Sequence, residues 1–257
     1  MIEQDLARAG KVAVVGHRGA MGYAPENTLA SFRRAAALGA HAFECDVRLT
    51  QDGEVVVIHD ATVDRVSDGS GRVEHMTLGQ LKRLDVGGRF GPDYAGERIP
   101  TLEEALELGR PMGLDVVIEI KGEPEPARSL VEKTVDCIVR QDMVHRCAVI
   151  SFHHPCLLWA RERAGEISTG ILFGHGTPDP IGEAKSFAAD SIRPHCARIN
   201  RSLVEQAHAQ GLVVHAWTVN DDEVARSLVG AGVDSLGTDY PDQMLRLLES
   251  LGRLPEA

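Results

Sequence analysis

The segment Phe43-Glu44-Cys45-Asp46-Val47, inside the run 42–49, alternates apolar and acidic residues at the spacing of a β-strand. Phe43, Cys45 and Val47 share one face, and Glu44 and Asp46 share the other. Two carboxylates side by side on an otherwise apolar strand repel each other, and burying them is costly unless a cation is supplied. A second run, Val116 to Lys121, repeats the anomaly: Val116, Ile118 and Ile120 face one way, Glu119 and Lys121 the other. These acids read as converging on a divalent metal, with the rest of the chain as the scaffold that holds them.

On the amino side, Lys11 to Gly16 is a short valine-rich strand that ends in His17-Arg18-Gly19. Pro25-Glu26-Asn27-Thr28 then opens a helix, with Asn27 or Thr28 as its cap and Gly39 as its close. On the carboxyl side come Asp52-Gly53, the apolar run Val55 to Ile58, and His59-Asp60. Asp-Gly between two β runs signals a hairpin. A two-residue turn would pair Gln51 with Glu54 and set Asp46 opposite His59. A parallel return of 55–59 is the other route, and both bring His59 toward the acids.

Residues 60–100 break the rhythm with Asp68-Gly69-Ser70-Gly71, Gly87-Gly88, Gly91-Pro92 and Gly96 around one short helix near 77–84. This segment reads as a small insertion on the barrel mouth, without a core of its own. Thr101 caps the next helix, which ends near Gly113. From there strands at 115–121, 147–151, 168–173, 190–193, 213–219 and 234–237 alternate with helices near 125–141, 154–163, 179–187, 201–210, 221–230 and 241–250. Steady alternation predicts an α/β fold, a TIM-type (β/α)8 barrel, as one domain over 1–257 with an insertion at about 60–100 after the third β run. There is one β run too many for eight barrel places, and the Asp-Gly pair marks where the extra one lies.

Bulk properties narrow the function. The chain has 257 residues, 43% of them hydrophobic, enough for one large core. With 38 acids against 27 bases and a net charge of −11, it is ill suited to a nucleic-acid surface or to anionic membrane docking. Five cysteines without a Cys-x-x-Cys spacing read as reduced thiols. The acidic start, Met1-Ile2-Glu3-Gln4-Asp5, lacks the apolar run of a signal peptide, and no stretch approaches a membrane span. The expectation is a soluble, cytoplasmic protein; its oligomeric state is not written in these features.

Polar residues recur at predicted strand ends: His17 and Arg18, Glu44 and Asp46, His59, Glu119 and Lys121, then Ser151-Phe152, Trp217-Thr218-Val219-Asn220 and Thr238-Asp239. In a parallel barrel those ends carry the chemistry. Glu44 and Asp46 could form an ion-pair network with Arg18, Arg48 or Lys121; Lys121 could be a solvated strand end; Trp217 suits barrel packing as well as a substrate wall. Pro25 and Thr28 read as a helix start. His153, His154, His175, His195, His208 and His215 have no evident acidic partner in sequence and read as surface or core residues.

Three carboxylates without a cysteine select a hard cation, Mg²⁺ or Ca²⁺, over zinc. Such an ion beside Arg18 and Lys121 suits a phosphate. His17 and His59 supply what phosphodiester cleavage still needs, a base for the attacking hydroxyl and an acid for the leaving oxygen.

His17-Arg18-Gly19, Pro25-Glu26-Asn27-Thr28, Glu44-x-Asp46, His59-Asp60, Glu119-x-Lys121, Trp217-Thr218-Val219-Asn220 and Thr238-Asp239-x-Pro241 together resemble the glycerophosphodiester phosphodiesterase family, in order, over about residues 11–248. The 60–100 segment resembles that family's insertion through Thr62, Arg65, Gly69-Ser70-Gly71 and Arg98-Ile99-Pro100-Thr101-Leu102. The resemblance implies hydrolysis of a small glycerophosphodiester to glycerol 3-phosphate and an alcohol, with one divalent cation. It implies Glu44, Asp46 and Glu119 as metal ligands and His17 and His59 as the acid–base pair. Arg18 and Lys121 become phosphate contacts, and Trp217 is carried as a substrate contact. It also implies attack by the substrate's own 2-hydroxyl through a cyclic phosphate, with His17 as first base and His59 as first acid. Ser235 departs from the family's usual glycine. Two alternatives stand: phospholipase-D-like hydrolysis of lysophospholipids, which a long apolar groove would favour, and a barrel that only binds phosphorylated ligands.

Overall fold

The structure, a computed structural model, describes residues 1–122, 127–174 and 177–254. The expected helix start at 125–126, His175 and residues 255–257 lie outside the described residues. The strands are β1 (Ala13–Gly16), β2 (Ala42–Leu49), β3 (Val55–Val57), β4 (Asp115–Ile120), β5 (Cys147–Ser151), β6 (Ser168–Phe173), β7 (Ser191–Pro194), β8 (Val213–Ala216) and β9 (Ser235–Thr238). The helices are α1 (Ile2–Arg8), α2 (Leu29–Ala37), α3 (Leu78–Leu81), α4 (Leu102–Gly109), α5 (Arg128–Arg140), α6 (Pro155–Arg163), α7 (Pro180–Ser186), α8 (Arg201–His208), α9 (Asp222–Ala231) and α10 (Pro241–Ser250). Local chemistry sets their ends: Thr28 accepts from the Ser31 N–H, Thr101 and Glu104 cap each other, and Asp221 accepts from Glu223 and Val224.

Eight parallel strands close in the order β1-β2-β4-β5-β6-β7-β8-β9, with β9 pairing back onto β1. The ninth run, β3, lies antiparallel on β2, so the extra strand is the one after Asp52-Gly53. Alternation on β2 sorts its side chains as expected. Phe43, Cys45 and Val47 join the outer core beneath the helices, and Ala42 packs inward with Val15, Val117, Ile150 and Leu172. Glu44 and Asp46 share the parity of Ala42 and therefore point into the barrel.

The hairpin forms, but one residue out of the simplest register. Val47 pairs with Val57 and Leu49 with Val55, and the Ile58 N–H donates to the Asp46 carbonyl. The turn holds three residues because the Thr50 and Glu54 backbones close it, with Gly53 left-handed at φ +80°. Asp46 therefore does not face His59 across the ladder; His59 reaches the barrel mouth from beyond the strand's end. The insertion also differs from expectation. Val56 and Ile58 pack with Val63, Val73, Leu81, Val86 and Ile99 into a small core of their own. As an edge strand, β3 has a face the barrel leaves bare, and the insertion covers it.

At the amino ends of the strands, α1 inserts Glu3 into the barrel, an element not anticipated from the acidic start. Glu3 Oε2 accepts from Arg193 Nη2 at 2.6 Å, and Oε1 accepts from Ser235 Oγ at 2.8 Å and lies 3.0 Å from His215 Nδ1. Both Glu3 and Arg193 are 2% exposed. His215 therefore has an acidic partner, as do His208 (Asp234) and His154 (Glu183), from elements remote in sequence. Ser235, the departure from glycine, earns its place as a hydrogen-bond donor in this cluster. Burial opposes the Glu3 charge, but Arg193 and His215 outweigh it and hold the carboxyl well below the usual range.

Removing one partner of a fully buried ion pair strands the other. Glu3→Ala should therefore cost about 3–5 kcal/mol of unfolding free energy at neutral pH, read by urea denaturation. Because the folded carboxyl titrates below its unfolded value, Glu3 stabilises above the ordinary glutamate range. The difference between the two proteins should shrink only as pH falls toward that depressed value.

Candidate active site

Register brings the acids together. In the β2–β4 ladder Asp46 pairs with Glu119, and in the β1–β2 ladder Gly16 pairs with Phe43, which sets His17 level with Glu44 one step on. One oxygen each from Glu44, Asp46 and Glu119 can be chosen so that all three lie within 4.8 Å of one another. All three residues are buried, Asp46 to 1% exposure. Glu44 and Glu119 border a pocket of about 260 Å³ whose polar lining also includes His17, Arg18, His59, Lys121 and His215. Val15, Val117, Ile150, Leu172, Phe152, Trp217 and Gly237 complete it. The sequence candidates thus meet at one place, with Asp46 sealed beneath the lining.

The ion-pair reading of the acids also holds. Lys121 Nζ lies 2.6 Å from Glu119 and 3.1 Å from Asp46, and Arg18 Nε lies 3.3 Å from Asp46. Arg48 instead donates to the His59 carbonyl at 2.8 Å. Positive charge falls unevenly on the three acids. Burial opposes ionisation of Asp46, but Lys121 and Arg18 hold its carboxyl well below the usual range. Burial and the Asp46 charge push Glu44 up to about 7 and Glu119 up to about 8. Two of the three carboxylates are short of compensating charge, the condition a dication corrects. A hard ion suits an all-oxygen donor set, so the residues present fit one.

Each histidine is held by a carboxylate. His17 Nδ1 lies 2.7 Å from Asp239, which Asn220 Nδ2 fixes at 2.6 Å. His59 Nδ1 lies 2.7 Å from Asp60, which Arg65 Nε fixes at 2.7 Å. A carboxylate at Nδ1 keeps the proton there and turns Nε2 to other work. Burial works against charge on both rings. For His17 the Asp239 hydrogen bond and Glu44 outweigh it and raise the pKa; for His59 burial prevails and lowers it.

Four supporting residues carried no assigned role in the sequence reading: Asp239, Asn220, Asp60 and Glu26. Each stands inside a quoted motif beside a strand end, so the available signal was an acid or amide next to a candidate histidine or arginine. Glu26 joins Arg18, at 2.8 Å, to Arg65 of the insertion. Asn27, weighed as a helix cap, is left-handed at φ 56° and does other work. Its Nδ2 donates to Asp46 Oδ2 at 2.8 Å and its Oδ1 accepts from the Asp46 N–H. Thr28 is the cap. Trp217 lines the pocket, anchored by Nε1 on the Arg193 carbonyl at 2.7 Å and met edge-on by Phe152, so it packs and lines at once.

Residues 17–243 match the model of the glycerophosphoryl diester phosphodiesterase family. A glycerophosphodiester phosphodiesterase of Caldanaerobacter subterraneus subsp. tengcongensis is 39% identical over 242 residues, 94% of this chain and 100% of that one. One from Bacillus altitudinis is 31% identical over 93% of this chain and 98% of its own. Among solved structures, an Oleispira antarctica phosphodiesterase in complex with the product sn-glycerol-3-phosphate superposes with a TM-score of 0.85 at 30% identity. That match covers 95% of this chain and 99% of the other. Sequence and fold agree that this chain belongs to the glycerophosphoryl diester phosphodiesterase family, and with it to the phosphodiester hydrolases.

Proposed function

We propose that the pocket hydrolyses small glycerophosphodiesters to glycerol 3-phosphate and an alcohol with the help of one divalent cation, Mg²⁺ or Ca²⁺. The observation that carries this reading is the convergence of three carboxylates, two of them under-compensated, with two carboxylate-held histidines around one pocket. Glu44, Asp46 and Glu119 would hold the ion. Once bound, it supplies positive charge to the phosphate oxygens and to the acids themselves. Arg18 and Lys121 bind and orient the phosphate, and Trp217 walls the substrate. His17 Nε2 takes the proton of the substrate's 2-hydroxyl as its oxygen attacks phosphorus. His59 gives its Nε2 proton to the departing alcohol, so it starts the step as the imidazolium and His17 starts neutral, the opposite of the directions their pKa values take without the ion. The roles reverse when water opens the cyclic phosphate. Attack from within the substrate needs no second molecule to be positioned, which suits a pocket that grips glycerol and phosphate together.

The chain is read as one barrel domain carrying the 60–100 insertion. Five free cysteines, four of them buried, suit a reducing cytoplasm. Among the described residues no helix is long and apolar enough to cross a membrane. Phe152, 49% exposed and edge-on to Trp217, favours a second reading, hydrolysis of lysophospholipids; release of choline from lysophosphatidylcholine tests it. A barrel that merely binds phosphate has no use for two histidines each fixed by its own acid.

Chelation with EDTA should abolish release of glycerol 3-phosphate from glycerophosphocholine or glycerophosphoethanolamine, and Mg²⁺ or Ca²⁺ should restore it. Glu44→Gln and Glu119→Gln should abolish turnover and weaken metal binding in calorimetry with the fold intact. Asn27→Ala, which frees Asp46, should raise the half-saturating metal concentration by about 10- to 100-fold. His17→Ala and His59→Ala should each cost about 10²- to 10⁴-fold in kcat while leaving metal affinity in place. A p-nitrophenyl ester needs no acid to expel its leaving group, so it should rescue the variant lacking the first-step acid, His59→Ala in the order proposed. Rescue of both variants, or of neither, would sink the division of labour.

A further inference from the structure

The pocket holds one ring that the mechanism above leaves idle. His215, in the middle of the barrel on β8, lines the pocket with Trp217 and Gly237 and is 5% exposed. Its Nδ1 lies 3.0 Å from Glu3 Oε1 and 2.6 Å from Ser235 Oγ. Ser235 Oγ donates its own proton to Glu3 Oε1 at 2.8 Å. Both atoms facing Nδ1 are thus acceptors, and the ring proton belongs on Nδ1. Burial, with Arg193 nearby, pushes His215 below the ordinary histidine range, so the ring is neutral at pH 7. A neutral ring protonated on Nδ1 offers a bare lone pair on Nε2.

Among the described residues no hydrogen bond reaches Nε2. Gly237 keeps the approach clear, since a Cβ there would stand 2.8 Å from Nε2. The neighbouring lining, Val15, Val117, Ile150 and Leu172, has no side-chain donor. The partner of Nε2 is therefore water while the pocket is empty, and a donor on the occupant once it fills. Phosphate oxygens are acceptors and cannot serve; a cationic headgroup would approach the charge of Arg193. A neutral hydroxyl fits.

We infer that His215 Nε2 accepts a hydrogen bond from the terminal hydroxyl of the substrate's glycerol, the hydroxyl that does not attack phosphorus. His215 is then a specificity residue that recognises glycerol as the group attached to phosphate, and α1, through Glu3, fixes its tautomer from the far end of the barrel. The inference rests on the phosphodiesterase reading.

The test compares glycerophosphocholine with its analogue in which the terminal CH2OH is replaced by CH3. The unmodified enzyme should lose roughly 5- to 150-fold in kcat/KM on the analogue, the cost of leaving a buried acceptor unpaired. In His215→Leu the two substrates should be handled within about twofold of each other, since the coupled group is gone. Should His215→Leu show no cooperative melting, Gly237→Ala serves instead, because its methyl group blocks Nε2 from another strand. A merely structural role for His215 would lower both rates together and leave their ratio unchanged. Equal rates on the two substrates with the unmodified enzyme, or a preference that survives the substitutions, would overturn the assignment. Failure of the unmodified enzyme to hydrolyse glycerophosphocholine and glycerophosphoethanolamine with either metal would overturn the phosphodiesterase reading along with it.

Discussion

Three carboxylates gathered within 4.8 Å inside a barrel cannot all ionise cheaply, and the active end of this molecule is arranged around that constraint. Arg18 and Lys121 bring two positive charges to three acids, and Arg18 is shared with Glu26. The compensation collects on Asp46, which lies deepest and also takes the Asn27 amide. Glu44 and Glu119 are left with pKa values near 7 and 8. On the function proposed, a dication would be drawn to a site in this condition because it would relieve repulsion already built into the fold. That ion would leave Arg18 and Lys121 freer to meet a phosphate.

The opposite end of the barrel shows what burial does when charges balance. Glu3 is as deeply buried as Glu44, yet its carboxyl lies below the usual range and that of Glu44 lies above it. The two differ in their partners. Glu3 has a whole guanidinium at 2.6 Å and a hydroxyl donor besides, whereas Glu44 has one backbone N–H, from Arg18 at 2.9 Å, and an acid as its neighbour. The first arrangement is complete in itself and suits a structural plug. The second is incomplete, as a ligand site has to be.

Much of this was legible in the sequence because strand parity is a hard rule: Glu44 and Asp46 had to share a face, and Ala42–Leu49 is the strand that forms. The strand and helix alternation likewise dictated barrel closure, and the Asp52-Gly53 pair located the extra strand. The hairpin register escaped because Thr50 and Asp52 build a three-residue turn where Asp-Gly alone suggests two, a choice made by side-chain hydrogen bonds. The role of α1 escaped because Glu3 finds Arg193 across 190 residues of chain, and no local pattern encodes such a meeting. The same holds for the acids beside His154, His208 and His215. Asp60 and Asp239 stood within the quoted motifs, but only the folded chain shows that each aims at a ring Nδ1.

Between the two polar ends lies an apolar layer of Val15, Val117, Ile150 and Leu172. The ion pair below is charge-balanced and stands apart from the unfinished cluster above, so each end can hold its own charge state within one barrel. Glu3 and Glu44 can therefore differ in protonation behaviour although both face the same interior. His215 crosses that layer, with one nitrogen on the Glu3–Ser235 side and its ring exposed to the pocket. A neutral ring suits the crossing, since it carries orientation from one end to the other without carrying charge. The plug that stabilises the barrel thereby also fixes the one polar group in the pocket's apolar lining.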